Sequence, residues 1–131
     1  MDTKRKLATG ILGTAMAVAL MAGPASADSS RTVIAPAARA TVNFSPGSWG
    51  DINGGWLYDT NRYDGRCARL YERGYNYALQ YTSWHKIAEV CAGGSVRIPA
   101  VHYSGYSDHV DVKVCAGTVT SGTACAVTRL W

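Results

Sequence analysis

Four cysteines, Cys67, Cys91, Cys115 and Cys125, all fall in the second half of a 131-residue chain. A chain this short buries a limited core, so covalent ties between them would constrain its fold more than any other feature. Whether they are ties depends on the compartment, and the opposite end of the sequence speaks to that. Three basic residues, Lys4, Arg5 and Lys6, lead into an apolar run from Leu7 to Ala22. Gly23-Pro24-Ala25-Ser26-Ala27 follows. A basic start, an apolar middle and an Ala-x-Ala ending are the order of a secretory signal peptide. The apolar stretch falls short of the roughly 20 residues a membrane span needs. Residues 1–27 are therefore expected to be removed, leaving a mature chain that starts at Asp28. An even cysteine count in a small exported domain predicts two disulfides. A zinc site would show close Cys-x-x-Cys pairs, and none is present.

Removing the leader changes the charge. Residues 1–27 hold three of the 13 basic residues and one of the nine acidic ones, leaving ten against eight and a formal charge near +2. The remaining cations form no run, so nucleic acid is not an expected partner. No later segment is long and apolar enough to span a bilayer.

The mature chain divides by composition. Residues 28–48 are rich in Ala, Ser and Thr, with Pro36, Pro46 and a short apolar patch at Val33-Ile34. Pro36 biases Ala35 toward extended backbone. This segment is expected to be an extended or flexible N-terminal arm, or a loosely held first strand. From Trp49 the chain turns rich in Gly, Tyr and Trp, and residues 49–131 read as one β-domain. Gly54-Gly55 and Asp64-Gly65 are turn signals. Short strand-like runs lie at Trp56–Tyr58, Arg66–Tyr71, Tyr75–Tyr81, His85–Cys91 and Val96–Val101, the last interrupted by Pro99. Residues 87–91 could instead hold one helical turn. The clearest strand is Asp108–Cys115, where Val110, Val112 and Val114 alternate with Asp111, Lys113 and Cys115. A final strand spans Ala124–Leu130, after a turn at Ser121-Gly122. The predicted fold is all-β: a small antiparallel β-sandwich, Ig-like or barrel-like, with two disulfides and an arm in front. Three cysteine pairings are compatible with the sequence. The local one is expected, with Cys115–Cys125 stapling a hairpin and Cys67 bound to Cys91; a Cys67–Cys115 link would demand another strand arrangement.

Signals for chemistry are sparse. There is no Gly-x-Ser-x-Gly elbow, no His-Glu-x-x-His and no calcium-loop pattern. His109 and Asp111 share a strand face, with Ser104, Ser107 and Asp108 near in sequence. That face reads more simply as the solvent side of an antiparallel strand. His102 and His109 lack a third ligand at a metal-site spacing, and the only glutamates, Glu72 and Glu89, fall on different segments. The chain is expected to be non-catalytic, with no cofactor and no metal.

Its unusual content is aromatic: eight Tyr and four Trp. These side chains offer rigid contact area with a polar tip, and they are enriched at binding hot spots. The candidate partner-binding residues are Trp49, Trp56, Trp84, Tyr103 and Tyr106, together with Arg31, Val33 and Ile34 of the arm. Tyr75, Tyr77 and Tyr81 are further candidates for exposure.

Signal peptide, four cysteines, Trp/Tyr richness and β-only pattern together resemble small secreted β-domain proteins of actinobacteria. One such family is the proteinaceous α-amylase inhibitors, two-disulfide sandwiches with a Trp-Arg-Tyr turn. Trp84-His85-Lys86 is the nearest analogue, without the Arg or the second aromatic. The layout of leader, arm and compact β-domain is similar to the adaptor subunit of secreted umbrella-shaped toxin particles. That resemblance implies another secreted protein as partner, with Ser30–Ala35 adding to it as a strand or lying in its cleft. An inhibitor of a secreted hydrolase and a carbohydrate-binding module are the competing expectations. N-terminal sequencing of material recovered from culture medium should read from Asp28; a membrane-bound product that retains Met1 would refute the export reading.

Overall fold

A computed structural model describes residues 29–47, 49–76, 81–103, 107–117 and 124–131. The expected leader, and candidates Tyr77 and Tyr106, lie outside the described residues. Among the described residues nine strands are present: β1 (Ser29–Ala35), β2 (Ala38–Ser45), β3 (Asp51–Asp59), β4 (Ala68–Asn76), β5 (His85–Val90), β6 (Ser95–Arg97), β7 (Val101–His102), β8 (Ser107–Ala116) and β9 (Cys125–Arg129). They form two antiparallel sheets. The first has the order β1-β2-β3-β6, with β7 also paired to β3; the second has the order β5-β4-β8-β9. The sheets pack as a sandwich.

The core follows from alternation. Ala38, Ala40, Val42 and Phe44 of β2 and Ile52 and Leu57 of β3 point inward from the first sheet. Leu70 of β4 and Val110, Val112 and Val114 of β8 meet them from the second, all fully buried. The period-two pattern read in β8 is the one observed, and residues 85–90 extend as β5 rather than coiling.

The N-terminal segment departs from expectation. Residues 29–45 are not an arm but the first hairpin of the sandwich, paired from Ser29↔Phe44 to Ala35↔Ala38. β2 continues into β3 across the expected boundary at residue 48, from Ala38↔Asp59 to Ser45↔Asp51. The alternation here uses Ala against Thr and Arg, whose hydropathy contrast is too weak to announce a strand. The turn is Pro36-Ala37, with Ala37 at φ 66°, a left-handed position that type II turns usually give to glycine.

Gly54-Gly55 also differs. It lies inside β3, where the register against β2 shifts between Asn43 and Phe44. Both glycines take positive φ, 133° and 120°. A Cβ on Gly55 would stand 2.0 Å from the carbonyl oxygen of Thr41. The pair therefore marks a bulge and a close backbone approach instead of a turn.

Both disulfides join the expected cysteines, Cys67–Cys91 and Cys115–Cys125, and no described cysteine is free. Cys115 and Cys125 are register partners on β8 and β9. Cys67 immediately precedes β4 and Cys91 follows β5, so the second bridge closes the β4–β5 pair. Each closed loop should restrict the unfolded chain by roughly 3 kcal/mol.

Two glycine substitutions separate space from backbone strain. Gly55→Ala should cost about 3 kcal/mol or more, because Thr41 cannot retreat without breaking the ladder. Gly65→Ala, in open space at φ 69°, should cost about 1 kcal/mol. Ala37→Gly should instead stabilise by about 0.5 kcal/mol. Urea melts of the three variants measure all of these.

Candidate functional site

The two outer faces of the sandwich are dressed alike, with cations laid over aromatic rings. Among the described residues six such contacts lie on the faces and a seventh, Arg62 over Tyr63, in the β3–β4 connection, against about one per 70–80 residues in ordinary proteins. The faces differ in how open they are.

The second sheet's outer face is closed over β8, while Tyr81 (45 % exposed) and Val127 (55 % exposed) stay open at its margins. Register sets Arg73 beside Asp111, Tyr71 beside Lys113 and Tyr75 beside His109. The Arg73 guanidinium lies 3.7 Å from the Tyr81 ring centre and 4.3 Å from that of Trp84. Lys113 Nζ sits 4.5 Å from the Trp84 ring and 5.2 Å from the Tyr71 ring. Burial, and then the nearby Arg73 charge, pull the Lys113 amine below the ordinary lysine range. Asp111 is held by Arg73 at 3.4 Å and by Arg129 at 4.0 Å. Tyr75 stacks on His109 at 4.5 Å. As a result His109, Asp111 and Lys113 are all buried. This corrects the expectation of a solvated polar face: long neighbouring side chains fold over it and satisfy its charges internally.

The first sheet's outer face is open. Ile34 of β1 is 66 % exposed and Trp56 of β3 is 39 % exposed. Register aligns Ile34, Arg39 and Tyr58 in one row across β1, β2 and β3, and Thr32, Thr41, Trp56 and Arg97 in the next row, which reaches β6. The Arg39 guanidinium lies 4.5 Å from the Tyr58 ring centre, and that of Arg97 lies 5.1 Å from the Trp56 ring centre. The Thr32 and Thr41 hydroxyls meet at 3.3 Å between them. Among the described residues no carboxylate pairs with Arg39 or Arg97. The carboxylate at the far end of this face, Asp51, is taken by His102.

Of the residues predicted for partner binding, the structure brings Ile34 and Trp56 together here. Trp49 is exposed in the β2–β3 connection. Arg31 reaches across the side of the sandwich and donates to the Arg129 carbonyl oxygen at 2.8 Å, joining β1 to β9. Trp84 belongs to the second face. Two candidates are corrected. Val33 is buried in the core because alternation on β1 turns it inward while Ile34 turns out. Tyr103 is buried and donates its hydroxyl to Glu72 at 2.6 Å. Arg39, Tyr58 and Arg97 escaped sequence reading. Recognising Pro36-Ala37 as a hairpin turn would have paired Ile34 with Arg39 at once.

Glu72 points inward from β4, an inversion of the usual rule for carboxylates. Tyr103 satisfies one oxygen, and His85 Nδ1 stands 3.3 Å from the other. Cys67, Glu89 and Cys91 also cluster. The two sulfurs are bonded to each other and so are not thiolate donors for a metal. Glu89 is held below the ordinary glutamate range, chiefly by the Lys86 hydrogen bond. Among the described residues no helix is long and apolar enough to cross a membrane. No protein-family model, curated protein or solved structure matches the chain.

Burial, and then the Glu72 carboxylate, hold the Tyr103 hydroxyl far above the ordinary tyrosine value near 10. The folded protein keeps this proton where the unfolded chain loses it. Stability from this group is therefore complete below about pH 10 and declines as pH rises further. Tyr103→Phe should remove part of that alkaline decline in urea melts. At neutral pH it should cost about 1–3 kcal/mol, because Glu72 loses its donor.

Proposed function

We propose that the chain is a secreted, non-catalytic protein-binding domain, acting as an adaptor or structural subunit of a secreted complex. The observation that carries this reading is the open face of the first sheet. Trp, Tyr and Arg are the residue types over-represented at binding hot spots, and here Trp56, Tyr58, Arg39 and Arg97 share one flat surface with exposed Ile34. The strands beneath them are fixed by core packing, so little side-chain order has to be created on binding.

The contact surface in this reading differs from a free arm. β1 contributes through the outward side chains Thr32 and Ile34, while Val33 and Ala35 anchor it to the core. The two competing functions find less support. A hydrolase inhibitor working through Trp84-His85-Lys86 would need Trp84 free, yet its ring covers Arg73 and Lys113. A sugar platform would need an open ring face on Trp56, and the Arg97 guanidinium already lies over that ring.

Trp56→Ala should leave the fold and melting temperature nearly unchanged, because the residue lies outside the core. It should reduce capture of a co-secreted protein by at least tenfold in pull-downs from culture medium, in line with a hot-spot loss of about 2 kcal/mol. Trp84→Ala should leave capture intact. Capture that is indifferent to Trp56, or recovery of glycan alone, would overturn the proposal.

A further inference from the structure

We infer that the partner of the first-sheet face is an acidic protein surface, with carboxylates placed to meet Arg39 and Arg97. This rests on the binding reading above and adds the chemistry of the partner.

Arg39 and Arg97 flank β3 on opposite sides, one register row apart. Arg39 on β2 pairs with Tyr58 of β3, and Arg97 on β6 pairs with Trp56 of β3. Two strand spacings across and two residues along place their Cα atoms about 12 Å apart. Between the two guanidiniums lie the Trp56 and Tyr58 rings. Among the described residues neither arginine has a carboxylate partner, whereas Arg69 and Arg73 do. Asp51, at the end of the same face, is occupied by His102. The open face thus carries two cations that no described carboxylate compensates, held over rings that fix their direction.

This arrangement selects the occupant. A second copy docked face to face would set arginine against arginine around the same rings, and like charges at such range are unfavourable. A purely apolar partner would desolvate both guanidiniums without return. An acidic partner gains at both points, because guanidinium–carboxylate pairs are bidentate and charge-assisted. The uncovered edges of the two rings would then meet the partner as an aromatic centre with a charged rim.

The test titrates the mature protein with poly-L-glutamate, poly-L-lysine and heparin at low and high salt. Wild type should bind polyglutamate and not polylysine, and should lose it at high salt. Arg39→Gln/Arg97→Gln should weaken polyglutamate binding at least tenfold. Arg39→Lys/Arg97→Lys should recover only part of it, since lysine keeps charge without the bidentate fork. Arg66→Gln, whose side chain packs against Gly117 at the end of the second sheet, should bind as wild type, and matching circular dichroism spectra exclude misfolding. Equal polyglutamate binding by wild type and the Gln pair would overturn the inference. So would binding of heparin alone with the same dependence on both arginines, which would assign the face to an anionic glycan. If Trp56→Ala abolishes capture of the co-secreted protein while the Gln pair captures it normally, the binding role stands and the acidic partner falls. If neither variant affects capture, both fall.

Discussion

β8 is buried on both faces, and the rest of the domain is arranged around that fact. Its inward valines fill the gap between the sheets. Its outward residues are His109, Asp111 and Lys113, which cannot be hidden without partners. The neighbours supply them: Arg73 and Arg129 for Asp111, the rings of Tyr71 and Trp84 for Lys113, the ring of Tyr75 for His109. Arg73 serves two purposes, since it also fills the space between Tyr81 and Trp84. The second sheet therefore uses its aromatic rings to cover its own charges, although Tyr81 keeps an exposed flank, and Trp56 of the first sheet also faces outward.

Strand content was legible wherever side-chain contrast was strong. Val-x-Val-x-Val in β8 announced both the strand and its inward face. The disulfide pairing was legible for a related reason, since Cys115 and Cys125 bracket a hairpin whose strands could be read. β1 and β2 were not legible, because Ala, Thr and Ser carry little contrast and a small-residue strand looks like a leader. Gly54-Gly55 misled in the opposite direction. Glycine punctuates turns, but it also fits where two backbones approach, and only the position of the Thr41 carbonyl tells the two cases apart.

The candidate site was half visible. Ile34 and Trp56 could be picked out as bulky residues among small ones. Their meeting on one face could not, because it depends on a hairpin the composition hid. Tyr103 shows the reverse failure. Flanked by His102 and Ser104, it looks exposed, yet it is drawn inward by a hydroxyl bond to Glu72 and by edge packing against Trp131. A buried carboxylate leaves no mark in a sequence until its donor is known.

The connections between sheets have a mechanical consequence. The chain crosses from the first sheet to the second after β3, back after β5, and to the second again after β7. The first two of these crossings run side by side. Asp59 accepts the Gly93 amide at 3.1 Å, and the Asp59 amide donates to the Gly94 carbonyl at 3.0 Å. Cys67–Cys91 links the same two crossings where they enter and leave the second sheet. A partner tugging on the first sheet would load these two crossings together, with the disulfide as their common anchor, beside the separate crossing after β7. The domain should then resist force as a clamp, yielding by shear between its two layers before either crossing unravels.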